Sequence, residues 1–187
     1  RHPAQGTLFR DDSSNALAMP GGKIGVNSVL RKVASNQDQL ATVIGHEVAH
    51  VLARHSGERL SNQAVVDTGL QAAQAISGSM SPAKQQLMGL LGVGAQVGVL
   101  LPFSRTQESE ADLLGLDLMA RAGFDPQQSV ALWQNMARAN SGGPPAFLST
   151  HPSSGGRIQA LQNRMPQALE LFQQARAQGR KPACRAP

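Results

Sequence analysis

Tyrosine is absent from the 187 residues, tryptophan occurs once and phenylalanine five times. That shortage argues against an aromatic-rich β-sandwich. A core must come from Leu, Val, Ala, Met and Ile, a composition that suits packed helices. Cysteine occurs once, as Cys184 near the end of the chain. An internal disulfide is therefore excluded, and this thiol reads as incidental to a tail. Acidic residues are few: 12 against 17 Lys and Arg, for a net charge of +5. The bases are spread thinly, with no stripe to follow a phosphate backbone. The densest stretch, 176–185, has no aromatic platform. No nucleic-acid partner is expected, whereas the basic balance is compatible with peripheral association with an anionic membrane surface.

Long apolar runs are also missing. The longest, 87–101, has Gln96 as its only polar side chain, but it is shorter than the about 18–20 residues that span a bilayer. Its Gly89, Gly92, Gly94 and Gly98 suit a buried helix that another backbone can approach. No signal peptide is visible, and Arg1 rather than methionine opens the chain, as in a processed product.

What is present reads as mostly helical. Residues 1–14 are polar and patternless, an extended lead-in. Ala16-Leu17-Ala18-Met19 and Lys23-Ile24-Gly25-Val26 read as two strands around the turn Pro20-Gly21-Gly22. A helix opens at Asn36 or Asp38. Leu40, Val43, Ile44, Val48, Val51 and Leu52 recur on one face, with Gly57 just past its end. Further helices are expected over 64–76, from Ser81-Pro82 toward Leu101, and over 104–121. The last is opened by a Ser104/Gln107 capping box and closed by Gly123. Another follows Asp125-Pro126 to about Ala139. A loop spans 141–145, and Ser153 or Ser154 and Pro166 open two final helices to about Gln178. No internal repeat is present.

The chemistry starts at His46-Glu47-Val48-Ala49-His50. Histidines four apart on a helix project from one face and can reach a single Zn²⁺. Glu47 lies about 100° around the helix, where a general base for a zinc-bound water belongs. A catalytic zinc site wants a third protein ligand. A histidine ten residues after the first, with a glycine three before it, would complete a metzincin set, but those positions hold Ser56 and Ala53. His55, one place off, reads as a residue at the helix C-terminus favoured by the dipole. The other route is a carboxylate from a second helix. Within Ser104-Arg-Thr-Gln-Glu-Ser-Glu-Ala-Asp112, Glu108 and Asp112 share a face. Glu108 can bind zinc while Asp112 accepts the N–H of a ligating histidine. Glu110 points elsewhere, as a solvated charge.

Four stretches together resemble the HtpX, CAAX-protease and Oma-type gluzincin metallopeptidases, most of all the bacterial periplasmic BepA/LoiP (YggG) branch. They are Asn15-Ala-Leu-Ala-Met-Pro-Gly-Gly22, Gly45-His-Glu-Val-Ala-His50 with Ala53-Arg-His-Ser, Ser104 to Asp112, and His151-Pro followed by Arg157. The resemblance implies His46, His50 and Glu108 as metal ligands, Glu47 as general acid/base, and Asp112 holding a ligating histidine. It also implies that the hairpin after Asn15 is an edge strand that takes up substrate main chain. His151 resembles the family histidine near the metal, which either stabilises the oxyanion or, in a resting form, fills the open zinc position. Arg157 resembles an arginine lining the same site. No tetratricopeptide repeat or membrane-spanning segment occurs in these residues, so transmembrane members are poor guides.

The expectation is an α+β, mainly α-helical, zincin-like single domain with a small sheet or hairpin beside the His46–His50 helix. It covers residues 1–182, with 183–187 as a tail. One Zn²⁺ per chain, activating water through Glu47, would hydrolyse internal peptide bonds of unfolded or misassembled proteins in the bacterial periplasm or cell envelope. The rival is a zinc-stabilised, chaperone-like client-binding module with a self-blocked site. No oligomeric state is implied.

Overall fold

The computed structural model describes residues 5–11, 15–19, 21–77, 103–139, 151 and 155–184. The helix expected from Ser81, the apolar run 87–101 and the loop 141–145 lie outside them.

Three strands form one sheet: β1 (Gln5–Phe9), β2 (Ala16–Met19) and β3 (Lys23–Asn27), in the order β1-β3-β2. β2 and β3 are the expected hairpin, antiparallel with Met19 opposite Lys23. Gly21 and Gly22 turn the chain at φ values of 87° and 78°, a region open to glycine at little cost. β1 corrects the lead-in: it pairs parallel to β3, Gln5 opposite Lys23 through Phe9 opposite Asn27. All five of its side chains are exposed, so no alternation marks it in the sequence and its pairing rests on the backbone.

A 3-10 turn over Ser28–Lys32 leads to α1 (Gln37–Leu52), followed by α2 (His55–Ser77). Asn36 caps α1 by accepting the Gln39 N–H at 2.8 Å. The helix ends earlier than Gly57 suggested. Arg54 adopts φ 59°, which breaks the helix, and Gly57 falls inside α2. α3 (Arg105–Arg121) carries the expected capping box, with the Ser104 hydroxyl accepting from Gln107 N at 3.2 Å and Gln107 Oε1 accepting from Ser104 N at 3.0 Å. Then come α4 (Gln128–Ala139) and α5 (Gly155–Ala177). α5 is one helix where two were expected. Pro166 sits inside it on an exposed face, so the carbonyl it leaves without an N–H donor, on Gln162, is also at an exposed residue. Leu161 and Ala168, on the opposite face and fully buried, hold both halves against the core.

The core lies between α1, α3, α4 and α5, around Leu30, Val43, Leu116, Leu132, Met136 and Leu161. α1 and α3 make the closest approach. A Cβ on Gly45 would stand 2.8 Å from the Gly115 carbonyl oxygen, and one on Gly115 would stand 2.8 Å from the Gly45 carbonyl carbon and the His46 nitrogen. Those are backbone atoms and cannot swing aside.

Alanine normally favours a helix over glycine by about 1 kcal/mol. Gly115→Ala is nonetheless expected to lose about 1–3 kcal/mol through overpacking, whereas Gly69→Ala, which meets nothing within 4 Å, is expected to gain stability. Thermal melts of the two variants give shifts of opposite sign if the contact governs. Two upward shifts would refute it.

Candidate metal centre

Helical periodicity puts His46 and His50 on the buried face of α1, and Glu108 and Asp112 on that of α3. The Gly45–Gly115 contact then brings the two faces together. His50 Nε2 lies 3.0 Å from His46 Nε2. A Glu108 oxygen lies 3.3 Å from His50 Nε2 and another 3.5 Å from His46 Nε2. His151 arrives from a separate segment, its Nδ1 3.1 Å from His46 Nε2 and 2.9 Å from Glu108 Oε1. All four residues are buried, and their donor atoms lie within 4.8 Å of one another.

Donors at about 2.0–2.1 Å from a tetrahedral zinc stand about 3.3 Å apart. The separations of 3.0–3.5 Å among His46, His50 and Glu108 match that edge length. Charge supports the same fit. Glu47, Glu108 and Asp112 are three buried carboxylates facing one buried guanidinium, Arg157, so a dication would neutralise the cluster.

Arg157 bridges the two acids of α3, with Nη1 2.7 Å from Glu108 Oε2 and Nε 2.6 Å from Asp112 Oδ2. Its Cζ lies 3.8 Å from the Trp133 ring centroid, a cation–π contact. Asp112 Oδ1 faces His46 Nδ1 at 3.0 Å, so His46 donates there and turns its Nε2 lone pair inward. Glu47 reaches the other side of the cluster, with Oε1 3.2 Å from His151 Nε2.

These contacts shift the titrations. Burial would raise the Glu108 carboxyl, but hydrogen bonds from His151, His46 and His50 outweigh it and hold the group well below the usual carboxylate range. Burial would likewise raise Asp112, and Arg157 and His46 pull it down. Burial lowers His50 more than Glu108 raises it. His151 goes the other way. Burial opposes its charge, but without a metal the Glu108 and Glu47 carboxylates push it up to about 9. The imidazolium then supplies part of the positive charge that a dication would bring.

Every residue expected at the site is therefore brought to it: His46, Glu47, His50, Glu108, Asp112, His151 and Arg157. Four more were not foreseen there. His55 is the first residue of α2 rather than the end of α1, and it is buried with Nδ1 2.9 Å from His50 Nδ1. Glu110 is exposed as expected, yet its Oε2 lies 3.3 Å from His55 Nε2. Phe103 packs its ring 4.0 Å, centroid to centroid, from that of His50 and stacks on His151 at 5.4 Å. Trp133 was visible as the one tryptophan, but its place under Arg157 depends on α4 docking beside α5.

Arg157→Met keeps the volume and removes the charge that both acids face. It is expected to cost about 3–5 kcal/mol, read from denaturant titration of the zinc-loaded chain. A loss below about 1 kcal/mol would show that the guanidinium does not carry those carboxylates.

Residues 2–165 match peptidase family M48. The chain is 37% identical over 169 residues to the mitochondrial metalloendopeptidase OMA1 of Saccharomyces cerevisiae, covering 87% of this chain and 47% of that protein. It is 40% identical over 163 residues to the Schizosaccharomyces pombe OMA1, covering 86% and 46%. It is 31% identical over 175 residues to the β-barrel assembly-enhancing protease of Escherichia coli, covering 90% and 36%. The chain thus spans less than half the length of these relatives. With the donor set in place and nearly the whole chain matched, the chain belongs to peptidase family M48, and zinc is the ion that this family's metallopeptidases use.

Proposed function

We propose that the chain is a zinc metalloendopeptidase that hydrolyses internal peptide bonds of unfolded or misassembled proteins. His46, His50 and Glu108 hold the metal and Glu47 is the general acid/base. The convergence of two Nε2 atoms on the Glu108 carboxylate, Oε1 3.3 Å from His50 and Oε2 3.5 Å from His46, with Glu47 buried beside them, carries this reading.

When bound, zinc supplies Lewis acidity, acidifying water and polarising a carbonyl oxygen. Glu47 takes the proton of the attacking water and delivers it to the leaving amine nitrogen. Asp112 keeps His46 in the tautomer that presents Nε2 inward. Arg157 holds Glu108 and Asp112 in register by pairing with both. When His151 turns from its present place toward a substrate, its ring N–H can donate to the developing oxyanion.

β2 supplies the binding edge. It pairs with β3 along one side, packs against α1, and leaves Leu17 and Met19 exposed at 42% and 46%. An extended segment can add there by main-chain hydrogen bonds, with apolar side chains meeting Leu17 and Met19. Folded proteins do not offer such segments, which favours unfolded clients. The bacterial relatives are named for β-barrel assembly, and we place the clients in the cell envelope. Mitochondrial relatives share the same domain, so the domain alone does not set the compartment. Among the described residues no helix is long and apolar enough to cross a membrane.

One observation favours a second reading, the client-binding module with a closed site. His151 Nδ1 lies 2.9 Å from Glu108 and 3.1 Å from His46, where it can act as a fourth donor. Cleavage of casein by wild type and Glu47→Gln at matched zinc content separates the two. The enzyme reading expects Glu47→Gln to lose about 10²–10⁴-fold in rate while keeping its metal. Equal cleavage by both would remove Glu47 from the reaction. No cleavage by either, with casein still bound, would establish the closed module.

A further inference from the structure

Arg54 is the single non-glycine residue with positive φ among the described residues, at 59°. Such a conformation costs free energy and persists where its surroundings hold it. It lies between α1 and α2, four residues after His50. Had α1 simply continued, His55 would stand about 140° around the helix axis from His50, facing away from it. The break folds His55 back instead. The residue is 2% exposed, and its Nδ1 sits 2.9 Å from His50 Nδ1.

Several contacts hold this return in place. The Arg54 carbonyl accepts the Glu58 N–H at 3.1 Å, which starts α2. Glu58 Oε2 accepts from Gln107 Nε2 at 2.7 Å, tying the first turn of α2 to the capping box of α3. The Arg59 guanidinium lies 4.9 Å over the Phe103 ring. Glu110 Oε2, one turn along α3, reaches His55 Nε2 at 3.3 Å.

One tautomer assignment satisfies all of these atoms. If His50 binds metal through Nε2, its proton must be on Nδ1, and His55 Nδ1 is the acceptor in front of it. The His55 proton is then on Nε2, which points at the Glu110 carboxylate. Each bond has one donor and one acceptor, and both rings remain neutral.

We propose that His55 is the positioning residue for His50. It accepts the His50 Nδ1–H, donates to Glu110, and so fixes the ring that presents Nε2 to the metal, with the left-handed Arg54 as the backbone device that puts it there. His55 and Glu110 thus do for His50 what Asp112 does for His46. The neutral histidine in between lets an exposed carboxylate act on a buried ring. This inference rests on the reading of His46, His50 and Glu108 as zinc ligands.

Zinc dissociation constants, measured on the full chain by competition with a chromogenic chelator, test it. His55→Ala is expected to weaken zinc binding about 10–100-fold. His55→Gln can accept from His50 and donate to Glu110 through its amide, and is expected to recover most of the loss. Glu110→Ala, at an exposed position that tolerates change, is expected to weaken binding by a smaller factor. The Co²⁺-substituted chain supplies a signature that packing alone would not move. Proton NMR should show a paramagnetically shifted, slowly exchanging N–H from each ligand ring whose far nitrogen is held. His55→Ala should lose the His50 resonance and keep that of His46, which Asp112→Ala identifies by its loss.

Unchanged zinc affinity in His55→Ala with the His50 resonance still present would overturn the proposal. So would a His55→Gln variant as impaired as His55→Ala, which would assign His55 to packing. Wild type that fails to bind zinc, or binding untouched by His50→Ala, would bring down the metal site itself. Tight binding by wild type beside an unaffected His55→Ala would remove only the role of His55.

Discussion

The backbones of α1 and α3 touch at Gly45 and Gly115, and the rest of the site is arranged around that contact. Side chains at both positions would meet the opposite backbone at 2.8 Å and force the helices apart. The imidazoles of one and the carboxylate of the other could then no longer share an ion, because donors must stand about 3.3 Å apart around zinc. Each metal-facing side chain lies within a turn or two of its glycine, so the helix crossing and the donor spacing are one geometric quantity. Leu116, Met119 and Val43 pack beside the crossing and keep it closed.

Closing two helices over acids has an electrostatic cost. Glu47, Glu108 and Asp112 are all buried, and burial alone would push carboxyls toward the neutral form. Arg157 offsets part of this from α5, braced against Trp133. A bound dication would supply the remainder, and His151 faces the Glu108 and Glu47 carboxylates from the other side. Its two ring nitrogens face Glu108 and Glu47, and its Nδ1 also stands 3.1 Å from His46 Nε2, within the cluster of donor atoms. Metal, Arg157 and His151 all compensate the same carboxylates, so removing one changes what is asked of the others.

Around this centre the chain makes a small framework. The hairpin sets a strand edge beside α1, and the break at Arg54 turns α2 back toward α3, which places His55 and Arg59 near the ligands. The OMA1 and β-barrel assembly-enhancing proteases share this domain over 31–40% identity, although it makes up less than half of each. The donor atoms, the Glu47 carboxylate and the strand edge all lie within this one unit.

Much of the site was legible in the sequence because it lies on two helices. A period of 3.6 dictates that residues four apart share a face, so His46 with His50 and Glu108 with Asp112 follow from spacing. The Asn36 cap and the Ser104/Gln107 box are equally local and were found where their motifs placed them. His151 and Arg157 were reached through family likeness alone, since nothing near them in the chain announces a metal. Strand β1 and the uninterrupted α5 escaped because exposed side chains show no period and because tertiary packing outweighed Pro166. His55 was missed for a related reason. Its position follows from the left-handed Arg54, and the residues after that break are held by contacts about fifty residues away, Glu58 to Gln107 and His55 to Glu110. By itself, then, the sequence determined the candidate donor residues, the glutamate beside them and the helices that bear them, through preferences that act within a few turns. Only the tertiary structure brought His55 against His50 and His151 into the cluster, because those contacts exist only once distant surfaces are buried together.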